Sequence, residues 1–505
     1  MRSALISLAG LASAVLAAGP AAADPVAVDP RSTEPDTTAK ETTDTPSPDE
    51  PKPAPEETPV AAEDVAGAPL PGHEHGRTDP IDLGDGPGRR VGRALMWIPR
   101  IPIELVAQPV RGTLYVHERY HVFAGIASLF LSDDQKIAIF PTALFETGFG
   151  LNVGMRGLFR DVFGGHEKIS IRAATGGQYK QVAALDIDTG KHIPGRLRAS
   201  IDARYEKRDE EHFFGYGNGD LVTAPAMPID PLTSDANAPA RYRVKVTRGS
   251  PRLTYKVTDN LSITGTGAIV RKQFSDLDED SSFYLPLDQA YMTNRIPGLE
   301  GITFLYDELE VAWDTRRQAD PWDAPGMRGT GGLVLGYAAR QEGIRGEDAG
   351  FYRLGFDLQR FVRLTIRPRV LELRLVGEMV TGAREDVPFT ELPRLGGTNL
   401  LRGYYYDRFR DRVAVVSQVS YLWATSNWLA AKLFVDTGRV YSGLDAVANE
   451  NVDHLRVGYG GALELYSRKD LLMRFELASS LDEGGVFFNF SLNPVYDTRS
   501  RVERY

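Results

Sequence analysis

From about residue 136 onward, apolar and polar residues alternate with a period of two, which is the period of a β-strand with two different faces. Between residues 197 and 205 every odd position is apolar or aromatic, and Arg, Ser or Asp stands between them. The same alternation recurs at residues 371–379 and 473–477. The pattern predicts strands with one apolar and one charged face.

The alternating pattern divides into sixteen predicted strands. They begin near residues 136, 148, 166, 179, 195, 241, 259, 303, 329, 351, 370, 411, 430, 454, 470 and 484. Each is roughly ten to thirteen residues long, whereas globular strands average about five or six. A tilted strand of this length can cross about 30 Å of hydrocarbon.

The predicted connections also alternate in length. Long ones follow odd-numbered strands, at residues 208–240, 273–302, 382–410 and 438–453, whereas even-numbered strands are followed mostly by short turns such as 258–260. A soluble β-sandwich would share the alternating strands, with its apolar faces inward. Strand length, loop pattern and the even strand count instead favour an all-β fold, a transmembrane antiparallel β-barrel.

The chain begins with the features of a secretory signal. One early cation, Arg2, precedes an apolar run that ends in Ala21-Ala22-Ala23 before Asp24. An A-x-A sequence is typical of a cleavage site, so residues 1–23 are predicted to be a signal peptide. There are no cysteines, which excludes a lipoprotein anchor and disulfides. Export and the barrel pattern together predict a location in a Gram-negative outer membrane.

Residues 24–90 have the composition of a disordered tail. They contain sixteen acidic residues, six basic residues and thirteen prolines, but no Phe, Tyr or Trp, so they cannot build a core. Their balance of −10 equals the formal charge of the whole chain, and Arg2 adds one positive charge. The rest of the chain is therefore nearly neutral at about −1, and it shows no basic stripe for nucleic acid.

A zinc-like motif lies between the tail and the barrel. Residues 117–121, HERYH, match H-E-x-x-H, in which two histidines bind zinc and the glutamate acts as a base. The segment 91–135 is too short for a protease domain and offers no third ligand, so it is predicted to be an amphipathic periplasmic or plug segment. No metal, cofactor or catalytic residue is predicted. The barrel is assigned to residues 136–492 and a charged C-terminal tail to 493–505.

One predicted long loop carries a family motif. The tetrapeptide Leu401-Arg402-Gly403-Tyr404 follows the pair Gly396-Gly397 in the connection between strands eleven and twelve. This arrangement resembles the sixth extracellular loop of the outer-membrane assembly-factor superfamily, the BamA/TamA and bacterial surface-antigen barrels. Further similar stretches are FFGYGN at 213–218, WDTRRQADPWDAPG at 313–326, FVDTGRVY at 434–441 and the closing strand pair at 457–478.

The resemblance implies that the loop folds into the barrel and that Arg402 meets a carboxylate on the inner wall. The alternation places Asp436 on the inward face, which makes it the expected partner. Three further inward carboxylates, Glu372, Glu378 and Glu464, are alternatives, and a solvated surface loop is the other interpretation. The tyrosines 404–406 would either cover the ion pair or lie at the membrane interface.

Family members that insert or secrete proteins usually carry periplasmic POTRA domains, and residues 24–90 lack the apolar periodicity of such a domain. The chain is therefore expected to be a short member without them. Two functions remain open. The barrel assists insertion or translocation of proteins or lipids, with unfolded outer-membrane proteins or a periplasmic partner as binding partners, or it is a passive or gated pore with the Arg402 loop as its constriction.

Overall fold

The computed structural model describes residue 132 and residues 136–492. Within that range it leaves out residues 148, 178–179, 192, 194, 223–224, 276–283, 321–322, 324–325, 345–349, 365–368, 427, 450–454 and 467–470. The predicted signal peptide, the 24–90 tail, the HERYH motif and the 493–505 tail lie outside the described residues. Almost all of the predicted 91–135 segment does as well.

Sixteen antiparallel strands form a closed barrel. They are β1 (Ile137–Glu146), β2 (Gly150–Arg160), β3 (Lys168–Gly176), β4 (Gln181–Asp188), β5 (Leu197–Phe213), β6 (Ala240–Lys256), β7 (Leu261–Ser275), β8 (Ile302–Asp314), β9 (Arg328–Gly343), β10 (Phe351–Arg363), β11 (Arg369–Val380), β12 (Val413–Ala424), β13 (Leu429–Tyr441), β14 (Arg456–Tyr466), β15 (Leu471–Ser480) and β16 (Phe487–Leu492). Each pairs with its neighbours in sequence, and β1 pairs with β16 to close the sheet. The predicted fold is confirmed, and every predicted strand start lies within three residues of the structure.

The remaining regular elements are short and lie in the connections. The short strands are Leu285–Pro286, Arg317–Gln318, Arg394–Leu395 and Phe409–Arg410, and the short helices are Leu287–Ala290, Thr293–Arg295, Phe389–Glu391 and Leu444–Asn449. Among the described residues, no helix is long and apolar enough to cross a bilayer.

The strands turn their apolar side chains outward. On β13, Leu433 and Val435 are 50% and 46% exposed, whereas Phe434 and Asp436 between them are 3% and 0% exposed. The same alternation leaves Ile201 of β5 half exposed. An outward apolar face with an inward polar face is the reverse of a soluble sandwich and suits a barrel surrounded by lipid.

The long connections lie on one rim of the barrel, which we call the long-loop rim. They follow β5, β7, β11 and β13, and the turns after even-numbered strands lie on the opposite rim. The prediction placed residues 208–213 in a loop, but β5 continues to Phe213 and is seventeen residues long. The extension packs into a buried core with Tyr216, Tyr291 and Phe389 from three different loops, and this core holds the strand beyond its apolar band.

Candidate functional site

The connection between β11 and β12, residues 381–412, folds back into the barrel, and we call it the lumen loop. Two short strands, Arg394–Leu395 and Phe409–Arg410, pair at its base. Between them the chain turns at Gly396 and Gly397, whose φ angles of 116° and 94° favour glycine. The Gly396 amide donates to the carbonyl of Leu400 at 2.9 Å, which closes the turn.

Arg402 lies at the tip of the lumen loop and contacts the inner wall at Asp436 of β13. Its Nε and Nη2 donate to Oδ2 and Oδ1 of Asp436, each at 2.8 Å, so the two planar groups pair side by side. The backbone amide of Arg402 also donates to Oδ2, at 2.9 Å. Asp436 is 0% exposed and Arg402 is 8% exposed, so the ion pair is buried.

Neighbouring side chains complete the surroundings of this ion pair. The Arg402 guanidinium lies 3.5 Å from the centre of the Phe434 ring, a cation–π arrangement. Gln418 of β12 donates to Asp436 Oδ2 at 3.0 Å and to the carbonyl of Asn399 at 3.1 Å, which ties wall and loop together. A second carboxylate, Glu476 of β15, lies 3.7 Å from Arg402 Nη1. The loop tip is therefore attached to three strands.

The ionisation of Arg402 fits this environment. Burial by itself lowers the pKa of the guanidinium, but the hydrogen bonds and charge of Asp436 outweigh burial and raise the pKa above its ordinary value. Arg402 therefore stays charged at physiological pH. Removing either member of the pair would leave a buried charge that has lost its principal counter-charge.

Gly403 lets the loop backbone lie directly against the wall. Its φ is 92°, and a Cβ at this position would lie 2.2 Å from the carbonyl oxygen of Ser479 on β15. A Cβ on Gly458 of β14 would likewise lie 1.7 Å from the carbonyl oxygen of Arg402. Glycine is therefore required on both sides of this contact, because any side chain would push the loop away from the wall.

The three tyrosines 404–406, the first of which ends the motif, point into the protein. Tyr404 is 1% exposed, and its hydroxyl donates to Asp482 and accepts from the Val457 amide at 2.9 Å. Tyr405 packs edge-on against Phe487 of β16 at 5.0 Å. The ring of Tyr406 also has an aromatic neighbour within the structure. The contacts of Tyr404 and Tyr405 tie the loop to β14, to the connection between β15 and β16, and to β16.

A second set of contacts joins the lumen loop to the connection between β15 and β16. Arg408 Nε donates to Glu483 Oε1 at 2.6 Å, and Arg456 of β14 pairs with Asp482. Burial raises the pKa of the Glu483 carboxyl. Burial alone would also raise the pKa of Asp482, but the Tyr404 hydroxyl and the Arg456 guanidinium lower it below its ordinary value. We call these contacts the rim latch.

The structure brings Arg402 and Asp436 together, whereas the alternative carboxylates have other partners. Glu372 and Glu464 contact Lys432 at 3.3 and 3.4 Å, and Glu378 contacts Arg353 at 2.6 Å. Sequence reasoning did not single out Glu476, Gln418 or the rim latch as parts of the site. The alternation around Phe475 and Leu477 could have indicated that Glu476 faces inward.

One family-like stretch of the sequence, FFGYGN, contacts both the lumen loop and the stretch FVDTGRVY of β13. Asn218, from FFGYGN, donates through its side-chain amide to the Val440 carbonyl at 2.6 Å, and the Gly217 amide donates to the Arg410 carbonyl at 2.9 Å. Comparison with family models matches residues 161–492 to the Omp85 superfamily domain. The chain belongs to the Omp85 superfamily. Omp85 proteins reside in the outer membrane and are transporters or insertases rather than enzymes.

Comparison with solved structures gives matches of low sequence identity. A BamA from Haemophilus ducreyi lacking POTRA domains 1–3 is 13% identical, with a TM-score of 0.48, and the match covers 71% of this chain and 70% of that one. CdiB from Acinetobacter baumannii is 12% identical with a TM-score of 0.41, covering 71% and 60% of the two chains. CdiB from Escherichia coli is 10% identical with a TM-score of 0.44, covering 70% and 62%. Comparison with curated protein sequences gives no match.

Among the described residues of this Omp85 chain, no group of three or more His, Asp or Glu side chains could hold a metal ion. The HERYH motif at residues 117–121 lies outside them, so its zinc interpretation is not addressed by the geometry.

Proposed function

We propose that this protein assists the insertion or translocation of proteins, or of lipids, across or into the outer membrane. The single observation that carries the proposal is the short ladder between β1 and β16. It joins Ala143–Glu146 to Asn489–Leu492, four residue pairs, whereas β1 and β2 share ten. Fewer backbone hydrogen bonds make this seam the easiest place in the described barrel to part.

The lumen loop supports the same proposal because it contacts the seam strands from inside. Tyr405 packs on Phe487, the first residue of β16, and Arg408 pairs with Glu483 just before that strand. A movement of the loop would therefore act directly on the seam. Unfolded outer-membrane proteins are the proposed clients, and a separate periplasmic partner would deliver them to the rim opposite the long-loop rim.

A disulfide across the seam tests the proposal. Leu144 and Ser491 are paired residues of β1 and β16, and such antiparallel pairs have Cα atoms about 4.5–5.5 Å apart, within disulfide range. The natural chain has no cysteine, so the double variant Leu144→Cys/Ser491→Cys forms a single defined bond. The matched control, Leu158→Cys/Ser170→Cys, joins β2 to β3.

In cells that depend on the variant, locking the seam should cause unfolded outer-membrane proteins to accumulate, as depletion of the protein should. Reduction should restore normal levels, and the control disulfide should have no effect. If the locked protein supports growth and assembly like the control, the seam is not the route and the proposal is wrong. If depletion of the protein leaves the levels of folded outer-membrane proteins unchanged, the proposal is equally contradicted.

A gated pore is the second candidate, because the lumen loop lies inside a barrel whose inner wall carries charged groups such as Arg374 and Asp357, 2.7 Å apart. In this case the Arg402 loop is the constriction. Conductance in planar bilayers should then rise when Arg402→Ala releases the loop. Unchanged conductance of that variant would exclude the pore.

A further inference from the structure

Three neighbouring strands, β5 to β7, carry cations on the outer wall, and on β5 and β7 the cation directly follows an outward aromatic or apolar residue. On β5 the outward residue Tyr205 is followed by Lys207, and on β7 Ile269, 56% exposed, is followed by Arg271. Lys207 lies directly opposite Lys245 of β6 in the ladder. This boundary lies towards the long-loop ends of the strands, where an apolar band gives way to the headgroup region of a bilayer.

The alternation of burial shows that these cations face outward. Val244 and Val246, on either side of Lys245, are 4% and 9% exposed, and Val270 beside Arg271 is 1% exposed. Lys245 and Arg271 themselves are exposed. They are therefore on the face that meets lipid, not on the charged inner wall.

Positive charge on this face is in excess. The cationic patch consists of Lys180, Lys207, Arg243, Lys245 and Arg271. Asp209 is its one carboxylate, and it lies 2.5 Å from Lys180, 3.0 Å from Arg243 and 3.7 Å from Lys207. Within the described part of the chain, no carboxylate forms a salt bridge with Lys245 or Arg271. Five cations and one anion give the patch a formal excess of four positive charges.

We propose that the cationic patch binds the phosphate groups of a phosphorylated lipid in the outer leaflet. Two lysines directly opposite each other on one face of a sheet repel, and an anion between them removes that cost. Phosphate oxygens accept several hydrogen bonds from Lys and Arg at once. The apolar wall next to the patch, which includes Ile269 at 56% exposure, would contact the acyl chains. A free phosphate ion would contact only the cations and not the apolar wall next to them.

The test measures binding of bisphosphorylated lipid A to the purified full chain in a non-ionic detergent by native mass spectrometry. The variant Lys207→Gln/Lys245→Gln/Arg271→Gln removes three charges from the patch. The control Lys191→Gln/Lys256→Gln/Arg340→Gln removes three exposed charges elsewhere on the barrel. Taking about fivefold in affinity for each cation near a membrane surface, the patch variant should bind roughly 100-fold more weakly, and the control like the natural chain.

Two further measurements identify the source of the phosphate. Lipid A without phosphates should bind as weakly as the patch variant does, and inorganic phosphate at millimolar concentration should not compete. Equal affinity of the patch and control variants, undiminished binding of dephosphorylated lipid A, or competition by inorganic phosphate would overturn the proposal. The acidic residues Asp278, Glu279 and Asp280 follow β7 in the sequence. The proposal would also be overturned if lipid A bound only after these three residues were replaced by neutral ones.

Discussion

The ion pair between Arg402 and Asp436 should decide whether the lumen loop stays docked, and the variant Arg402→Ala tests this. The substitution removes two side-chain hydrogen bonds, at 2.8 Å each, and leaves Asp436 buried with Gln418 at 3.0 Å and the backbone amide of residue 402 at 2.9 Å as its remaining polar contacts. A buried charge that has lost its partner costs about 3–5 kcal/mol. The equilibrium constant that favours the docked loop over the released loop should therefore fall by roughly two to four orders of magnitude.

Trypsin provides the assay because Arg408 and Arg410, both 1% exposed, become accessible only when the loop leaves the wall. In the natural chain, cleavage within residues 403–412 should be slow. In Arg402→Ala it should be faster by at least tenfold. Asp436→Asn should also accelerate cleavage. In the double variant, the loss of docking free energy should be smaller than the sum of the two single losses, because the two residues act as one unit.

The control is Arg340→Ala on the outer wall, where the partner Glu342 lies at 2.7 Å and both side chains are more than half exposed. An exposed pair contributes about 0–1 kcal/mol, so cleavage of the lumen loop should not change. If Arg402→Ala is cleaved no faster than this control, the ion pair does not hold the loop and the reasoning fails.

Two further predictions concern the contacts beside the ion pair. Gly403→Ala should release the loop, because the φ of this residue is 92° and the new Cβ would meet Ser479. The control Gly484→Ala, at φ 66° with open space around it, should lower stability by only about 1 kcal/mol. Trypsin cleavage of the lumen loop compares the two variants. The Asp482 pKa is held below its ordinary value despite burial, so the Asp482 part of the rim latch, its contacts with Tyr404 and Arg456, is at full strength above that ordinary value and is lost as pH falls through the lowered pKa. The protection of backbone amides around Tyr404 against hydrogen exchange, taken relative to the intrinsic exchange rate at each pH, should therefore fall at strongly acidic pH. Asp482→Asn should show low protection already at neutral pH, and protection that is independent of pH in the natural chain would contradict this.

The barrel itself could be predicted from the sequence because a strand with one face in lipid and one in the lumen repeats every two residues. The position of Asp436 on the inner wall followed from the same alternation, since Leu433 and Val435 on either side had to face outward. The extra length of β5 could not be predicted. It depends on packing against Tyr216 and Phe389, which are distant in sequence and add no periodicity to residues 208–213.

The sequence alone determined local features: the number of strands and the inward or outward side of each residue. It also contained a loop motif whose resemblance to a known family pointed to Arg402. The tertiary structure decided which inward carboxylate pairs with Arg402, because Glu372, Glu464 and Asp436 share one face and differ in their position around the wall and along the strands. It also decided the rim latch and the cationic patch, which join residues from separate strands and loops. Such contacts depend on strand stagger and barrel closure, and a period of two carries no information about either.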